Sequence, residues 1–336
     1  DPGTALDPTP YLRALSPIAR AELWHHRLGH PGMHQLRHLQ THATGLPVAP
    51  MHVHPVCSCQ ICQDARRHKQ PAGPTQVDST LLAGQRFHVD FGFMRASTPH
   101  FETRTKATTD DRVVTSHDGF NAYLLITDAA TRYTWCFPTT TKSPPTDIMD
   151  LFLRRHKLKH GIRSIRVDQG GELARSQQFR HLIASHGYVV EPTGSDTASQ
   201  NGKVERLNQT FGVMVRSLLY SSGLSAQYWS DALIHAVYLK NRLWHSALNR
   251  TPYEAYLGST PDLSHLRAFG ARLTARVSGD PAAKLDRHTF HGVFLGYSAT
   301  DRNIRYLDLK SGRIKTARHA VFDEAHYMAP TRPPGP

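Results

Sequence analysis

The chain has 336 residues, 39% of them hydrophobic, which is enough to build two or three cored units and too many for wholesale disorder. Lys and Arg number 40 against 27 Asp and Glu, so the formal net charge is +13, and 23 histidines add to it below neutral pH. Such a balance points to a polyanionic partner, and no apolar run approaches the roughly 20 residues of a membrane span, so no membrane partner is expected. Three of the four cysteines crowd into CSCQIC, a pattern that excludes a secreted disulfide scaffold and suggests metal. The chain begins on Asp1 and carries no signal-peptide pattern, as expected of a piece of a longer protein.

In chain order, residues 1–20 carry Pro and Gly and read as a tail. Residues 21–42, AELWHHRLGHPGMHQLRHLQTH, have a helical pattern, and a Pro/His-rich loop then leads to the cysteines. PAGPTQ at 71–76 is a linker. RFHVDFGFM (86–94) alternates like a strand, and the polar 95–118 stretch is expected to be an insertion loop. NAYLLITDAATRYTWCFPT predicts two strands joined near Asp128–Thr131. A helix follows, with Thr146 as its N-cap and Gly161 as its stop. A strand (IRSIRVDQ), a helix over 175–186, a short strand (YVVEPT) and a helix after Asn201 complete the order β-β-β-α-β-α-β-α. A further helix is expected over 225–245, and short alternating runs from 263 predict a small all-β unit. The proline-rich end reads as a linker stub.

Two groups of residues carry chemistry. His25 and His30 are separated by four intervening residues, and Cys59 and Cys62 by two, which suits tetrahedral Zn²⁺. A unit of about 50 residues has too little core to fold alone, so zinc would supply the missing free energy. His26 is an alternative to His25, and Cys57 competes with Cys59. The second group is acidic. Asp90 lies mid-strand in HVDFG, Asp168 ends a strand in IRVDQGGEL, and Glu205 opens the helix after Asn201. An acid inside an apolar strand is costly to bury unless it is paired or metal-bound. If the strands of Asp90 and Asp168 were neighbours, three carboxylates would converge and bind Mg²⁺ through oxygen. Asp110, Asp111, Asp128 and Asp196 are rival acids.

LWHHRLGHPG followed by CQIC resembles the pre-integrase zinc module of Ty1/copia-type retrotransposons. HVDFG, VDQGGEL and SQNGKVER resemble the three catalytic stretches of the retroviral integrase core, the D,D-35-E pattern, with 36 residues between Asp168 and Glu205 here. YWSDALIHAVYLKNR, TPYEAYLG, HLRAFGA, GVFLGYS and ARHAVFDE resemble segments of the copia class, and the similarity covers roughly 22–327. Departures are Gln169 where the family commonly has Asn, Ala198 or Ser199 where it commonly has proline, and a longer 95–118 insertion.

The resemblance implies a zinc-binding pre-integrase domain at 21–70, a linker at 71–84 and a ribonuclease-H-like α/β core at 85–248 with a mixed five-stranded sheet. A connector at 249–262, a small all-β, SH3-like domain at 263–327 and a stub at 328–336 would follow. It also implies that Asp90, Asp168 and Glu205 bind Mg²⁺ or Mn²⁺, and that His25, His30, Cys59 and Cys62 bind structural zinc. Gln200 and Asn201 are expected on a mobile loop that contacts DNA, with Lys203 and Arg206 as phosphate contacts. The implied activity is integrase strand transfer, a polynucleotidyl transfer in which the 3′ ends of element cDNA attack target DNA. The implied partners are those two DNAs and further copies of the chain, as a dimer or tetramer. The implied locations are the nucleus for integration and a cytoplasmic virus-like particle before it. The alternatives are a catalytically inactive or domesticated DNA-binding remnant and a cut-and-paste DNA transposase with a similar core.

Overall fold

The structure is a computed structural model that describes residues 15–39, 41–46, 59–65, 81–96, 113–141, 143, 145–156, 163–168, 172–193, 198–276, 289–298 and 303–327. Residues 1–14, the 71–76 linker, most of the 95–118 insertion, Cys57, Asp110, Asp111, Gln169, Asp196 and the 328–336 stub lie outside the described residues. The chain divides into two compact units. One comprises Gln70–Gly212 and Lys240–Ser259; the other comprises Asp1–Lys69, Val213–Leu239 and Thr260–Pro336.

The first unit is built on a five-stranded sheet: β1 (Arg86–Gly92), β2 (Ala122–Asp128), β3 (Thr134–Thr139), β4 (Ser164–Asp168) and β5 (Val189–Thr193). Their order is β3-β2-β1-β4-β5. β1 pairs antiparallel with β2, and β2 with β3, while β4 runs parallel to β1 and β5 parallel to β4. This is the mixed five-stranded α/β architecture expected of the core. β2 is buried at every position, as its near-continuous apolar run AYLLITD requires of a strand covered on both faces. β1 alternates. Phe87 and Val89 face a core shared with Leu124, Ile126, Ile165 and Val167, and Met149, Phe152, Phe179 and Ile183 pack on it from helices.

Those helices are α4 (Thr146–Arg155), α5 (Glu172–Arg175) and α6 (Gln177–Ser185). Two details of α4 differ from expectation. Thr146 is its first helical residue, because the chain turns in at Pro145, which makes no side-chain cap. The helix stops at His156, not Gly161. The His156 ring turns into an aromatic cluster with Phe152 and Trp135, 4.4 and 4.8 Å between centroids, and Gly161 lies outside the described residues. The neck of the 95–118 insertion is closed by an isolated bridge between Arg95 and Val113.

A long helix, α7 (Ala198–Ser222), begins before Asn201, so Gln200, Asn201 and Gly202 lie inside it and Glu205 is two turns in. Ala198 and Gln200 are good helix formers, and one early glycine costs only about 1 kcal/mol, which the following turns offset. After a 3₁₀ turn at Ala226–Tyr228, α8 covers Trp229–Arg242 within the expected 225–245. The connector holds a helix that periodicity missed, α9 (Pro252–Leu257). Thr251 Oγ1 accepts from Glu254 N, Pro252 fills the first turn, and Gly258 closes it in the left-handed region.

The second unit contains three further helices: α10 (Pro17–Arg27), α11 (Met33–Leu39) and α12 (Gln60–Ala65). It also contains a second sheet, β6 (Ala271–Arg276), β7 (Thr289–Tyr297), β8 (Ile304–Asp308), β9 (Ile314–Ala317) and β10 (Ala320–Tyr327), in the order β10-β6-β7-β8-β9. Every pair in this sheet is antiparallel, as expected of a small all-β unit. β6 alternates between buried and exposed positions, and Leu273, Ala275, Phe294 and Tyr306 form the core. The sheet is tied to α8 by the ion pair of Arg305 with the buried Asp231, 2.8 Å. It is tied to α10 by the buried ion pair of Arg27 with Glu324 of β10.

Candidate functional site

The metal-ligating group is assembled by one turn. α10 ends with His25, His26 and Arg27, and Gly29 follows in the left-handed region at φ 70°. A Cβ at Gly29 would stand 2.8 Å from Leu239, so both the backbone and the space require glycine. The reversal lets His30 N–H donate to the His25 carbonyl and brings the two rings to 4.7 Å between centroids. Cys59 and Cys62 stand one turn apart at the start of α12 and share a face. Arg216 of α7 donates to the Ala65 carbonyl (2.9 and 3.3 Å) and satisfies the end of that short helix.

The four ligand atoms lie within 4.8 Å of one another. His25 Nε2 is 3.2 Å from both His30 Nδ1 and Cys62 Sγ, and His30 Nδ1 is 3.5 Å from Cys59 Sγ and 3.8 Å from Cys62 Sγ. A tetrahedron with bonds of about 2.0–2.3 Å has edges of roughly 3.3–3.8 Å, so the donor set fits zinc in size as well as chemistry. His25, His30 and Cys62 are buried and Cys59 is partly so, which suits a closed structural site. His26 is outside the group, its ring 4.7 Å from that of His30.

The carboxylates belong to the other unit. Asp90 on β1 and Asp168 on β4 each stand one place beyond the paired Val89 and Val167, on adjacent parallel strands. Parallel neighbours lie about 4.8 Å apart, so the two acids occupy matching positions in the sheet. Glu205 lies on α7, three residues before Asn208, whose Nδ2 donates to Asp90 Oδ2 at 2.7 Å. The Asn208 carbonyl accepts in turn from the Tyr123 hydroxyl at 3.2 Å. Asn208 and Tyr123 were not singled out in the sequence. A polar residue one turn after the glutamate was the only signal for the first, and nothing marked the second.

Asp128, weighed as a rival acid, has a different role. It is fully buried at the turn after β2 and accepts from Gly84 N and from the Thr131 amide and hydroxyl (2.7, 2.8 and 2.6 Å), so it is a turn former. Burial, opposed by those hydrogen bonds, raises its pKa. Gln200, Asn201 and Lys203 stand in the first two turns of α7, and Arg206 follows Glu205, half-buried.

Comparison with known proteins gives these sites their context. Residues 273–334 match the retroviral polymerase SH3-like domain. The retrovirus-related Pol polyprotein from transposon RE2 of Arabidopsis thaliana is 28% identical over 314 residues, 92% of this chain and 20% of the relative. That from transposon RE1 of the same plant is 28% identical over 328 residues (95% and 21%), and that from transposon TNT 1-94 of Nicotiana tabacum 26% over 323 (94% and 22%). The chain thus spans about a fifth of the length of these relatives.

Among solved structures, a chain of the simian T-cell lymphotropic virus intasome in complex with PP2A regulatory subunit B56 gamma aligns at TM-score 0.46 and 13% identity. That alignment covers 92% of this chain and 98% of that one. The HTLV-2 integrase catalytic core domain in complex with magnesium aligns at TM-score 0.36 and 16% identity over 52% of this chain and 98% of that one. The homologues of this chain are retrovirus-related Pol polyproteins of copia-type transposons, and its residues 273–334 carry the match to the retroviral polymerase SH3-like domain.

Proposed function

We propose that this chain is the integrase of a copia-type LTR retrotransposon, a polynucleotidyl transferase that joins the 3′ ends of element cDNA to target DNA. The observation that carries the reading is the register of β1 against β4, which gives Asp90 and Asp168 equivalent positions on neighbouring strands, with α7 held to Asp90 through Asn208. Asp90, Asp168 and Glu205 offer oxygen donors only, the chemistry preferred by Mg²⁺ or Mn²⁺. Two such ions, when bound, supply activation of the attacking 3′-hydroxyl and stabilisation of the leaving oxygen. The protein holds the carboxylates on rigid strands and one helix, and Gln200, Asn201, Lys203 and Arg206 would line the approach of the nucleic acid. His25, His30, Cys59 and Cys62 hold a structural zinc. The working particle is a dimer or tetramer on the two DNAs, acting in the nucleus after assembly in a cytoplasmic virus-like particle.

The test is strand transfer with oligonucleotide cDNA ends in Mg²⁺. Asp90→Asn, Asp168→Asn and Glu205→Gln should each reduce transfer to background while leaving folding and DNA binding nearly intact. Double variants should be no worse than single ones, because the three act as a unit. Asp128→Asn serves as a control for activity. Retained transfer in Glu205→Gln, or loss only in Asp128→Asn, would show that the third ligand is misassigned. A wild-type chain that binds DNA and transfers nothing is a DNA-binding remnant.

A further inference from the structure

Asp90 alternates along β1 with Gly92, so the two residues share a face of the sheet, and Gly92 pairs directly with Tyr123 of β2. Tyr123 is 2% exposed. A Cβ built on Gly92 would lie 2.1–2.4 Å from the hydroxyl end of the Tyr123 ring. The phenol therefore lies across β1 in the space that any other residue at 92 would fill. From there its hydroxyl donates to Asn208 Oδ1, and Asn208 Nδ2 donates to Asp90 Oδ2.

We propose that Tyr123 is a positioning residue that acts through Asn208 to orient the Asp90 carboxylate for a divalent cation, and that Gly92 is glycine to let the phenol cross the strand. The inference rests on the integrase reading for its reaction, but it concerns only this chain's own side chains.

The direction of the hydrogen bonds is the content of the relay. A carboxylate accepts only, so Asn208 must present its amino end to Asp90. An amide can flip, and the side that wins is set by its partners. The Tyr123 phenol donates to the amide oxygen that this orientation leaves facing it, and so holds Asn208 in the orientation that the carboxylate selects. The phenol is kept protonated: burial first, then Cys136 and Asp90, push its pKa above the ordinary value. One oxygen of Asp90 is thus committed to a neutral donor, which fixes the plane of the carboxylate without cancelling its charge. A carboxylate has about four lone-pair sites, so one hydrogen bond does not exhaust it. Groups that orient a metal ligand from behind typically change metal affinity by 10–100-fold.

Tyr123→Phe removes one oxygen and keeps the ring that packs on Gly92, so the fold should survive. Mn²⁺ binding would be measured directly by electron paramagnetic resonance without DNA, with Asp90→Asn as reference, and strand transfer titrated with Mn²⁺ in parallel. Tyr123→Phe and Asn208→Ala should each raise the half-saturating Mn²⁺ concentration by about 10–100-fold in both measurements, with transfer recovering at high Mn²⁺. Gly92→Ala, which displaces the phenol, should resemble Asn208→Ala. A purely packing role for Tyr123 predicts unchanged Mn²⁺ affinity in Tyr123→Phe, and that result overturns the relay while leaving the integrase reading intact. Mn²⁺ binding that depends on Asp90 and weakens in Tyr123→Phe supports the relay even if wild-type transfers no strand. Absence of any Asp90-dependent Mn²⁺ binding overturns it.

Discussion

His156 shows how one residue changes character through its neighbours. Its ring sits against Phe152 and Trp135 and its Nδ1 faces the Tyr256 hydroxyl at 2.9 Å. Burial, and then Arg155, lower its pKa to about 4, and burial, Lys240 and Arg132 lower that of His245 to about 3. An unfolded histidine titrates near 6.5, so between about pH 6.5 and 4 the unfolded chain binds more protons than the folded one. The neutral rings therefore contribute their full stability above about 6.5, and that contribution is lost as pH falls toward 4. Thermal melting followed from pH 8 to 4 should show the loss begin above the carboxylate range. His156→Phe should flatten it, and an unchanged pH profile in that variant would mean that the ring already titrates freely in the folded state. Local spacing reveals only Phe152, one turn back, and Arg155; the other partners come from β3 and α9, roughly 20 and 100 positions away.

At the scale of elements, α10, its left-handed turn and α12 depend on one another. α12 has six residues and α11 seven, lengths at which an isolated helix is not stable in water. What brings α10, its turn and α12 together is the group His25, His30, Cys59 and Cys62, so bound zinc would contribute folding free energy directly. Cys62→Ser should yield protein without zinc by metal analysis, with fast amide exchange in Pro17–Arg27 and Gln60–Ala65. Exchange in β1, β2 and β4 should be unaltered, and loss of protection there as well would make the zinc group a support for both units. The buried pair of Arg27 with Glu324 extends the same dependence to β10. Each pair was legible because its spacing is local, whereas the meeting of His25 and His30 with Cys59 and Cys62, across 28 intervening residues, is a fact of the fold. His26 was separated from His25 only by the direction in which the last turn of α10 faces.

For the whole molecule, the excess of 40 basic over 27 acidic residues predicts DNA binding dominated by phosphate contacts. A log–log plot of affinity against salt should be linear, with each neutralised phosphate contributing about −0.9 to the slope. Lys203→Ala and Arg206→Ala should each reduce the slope by about 1 and weaken binding to all sequences alike. A slope near zero would mean that the charge serves solubility and not nucleic acid. The prediction depends on net charge and two helix positions, so it holds whatever the disposition of the two units.

Much of this protein is written in local sequence. The alternation of RFHVDFG, the apolar run AYLLITD, the Gly-punctuated β segments after 263 and the His/Cys spacing each follow from short-range stereochemistry, and each element is found where that chemistry requires it. Even α9 was readable, since Thr251, Pro252, Glu254 and Gly258 are cap residues at the right offsets. Three things waited for the tertiary structure. α7 starts at Ala198, ahead of Gln200, Asn201 and Gly202, which the local pattern places before the helix. Strand order made β1 and β4 neighbours and so matched Asp90 to Asp168, a pairing across 77 intervening residues that no local pattern encodes. The Tyr123–Asn208–Asp90 chain depends on β2 and α7 meeting over Gly92, and only the folded sheet brings a ring from one strand into the space left by a missing side chain on the next.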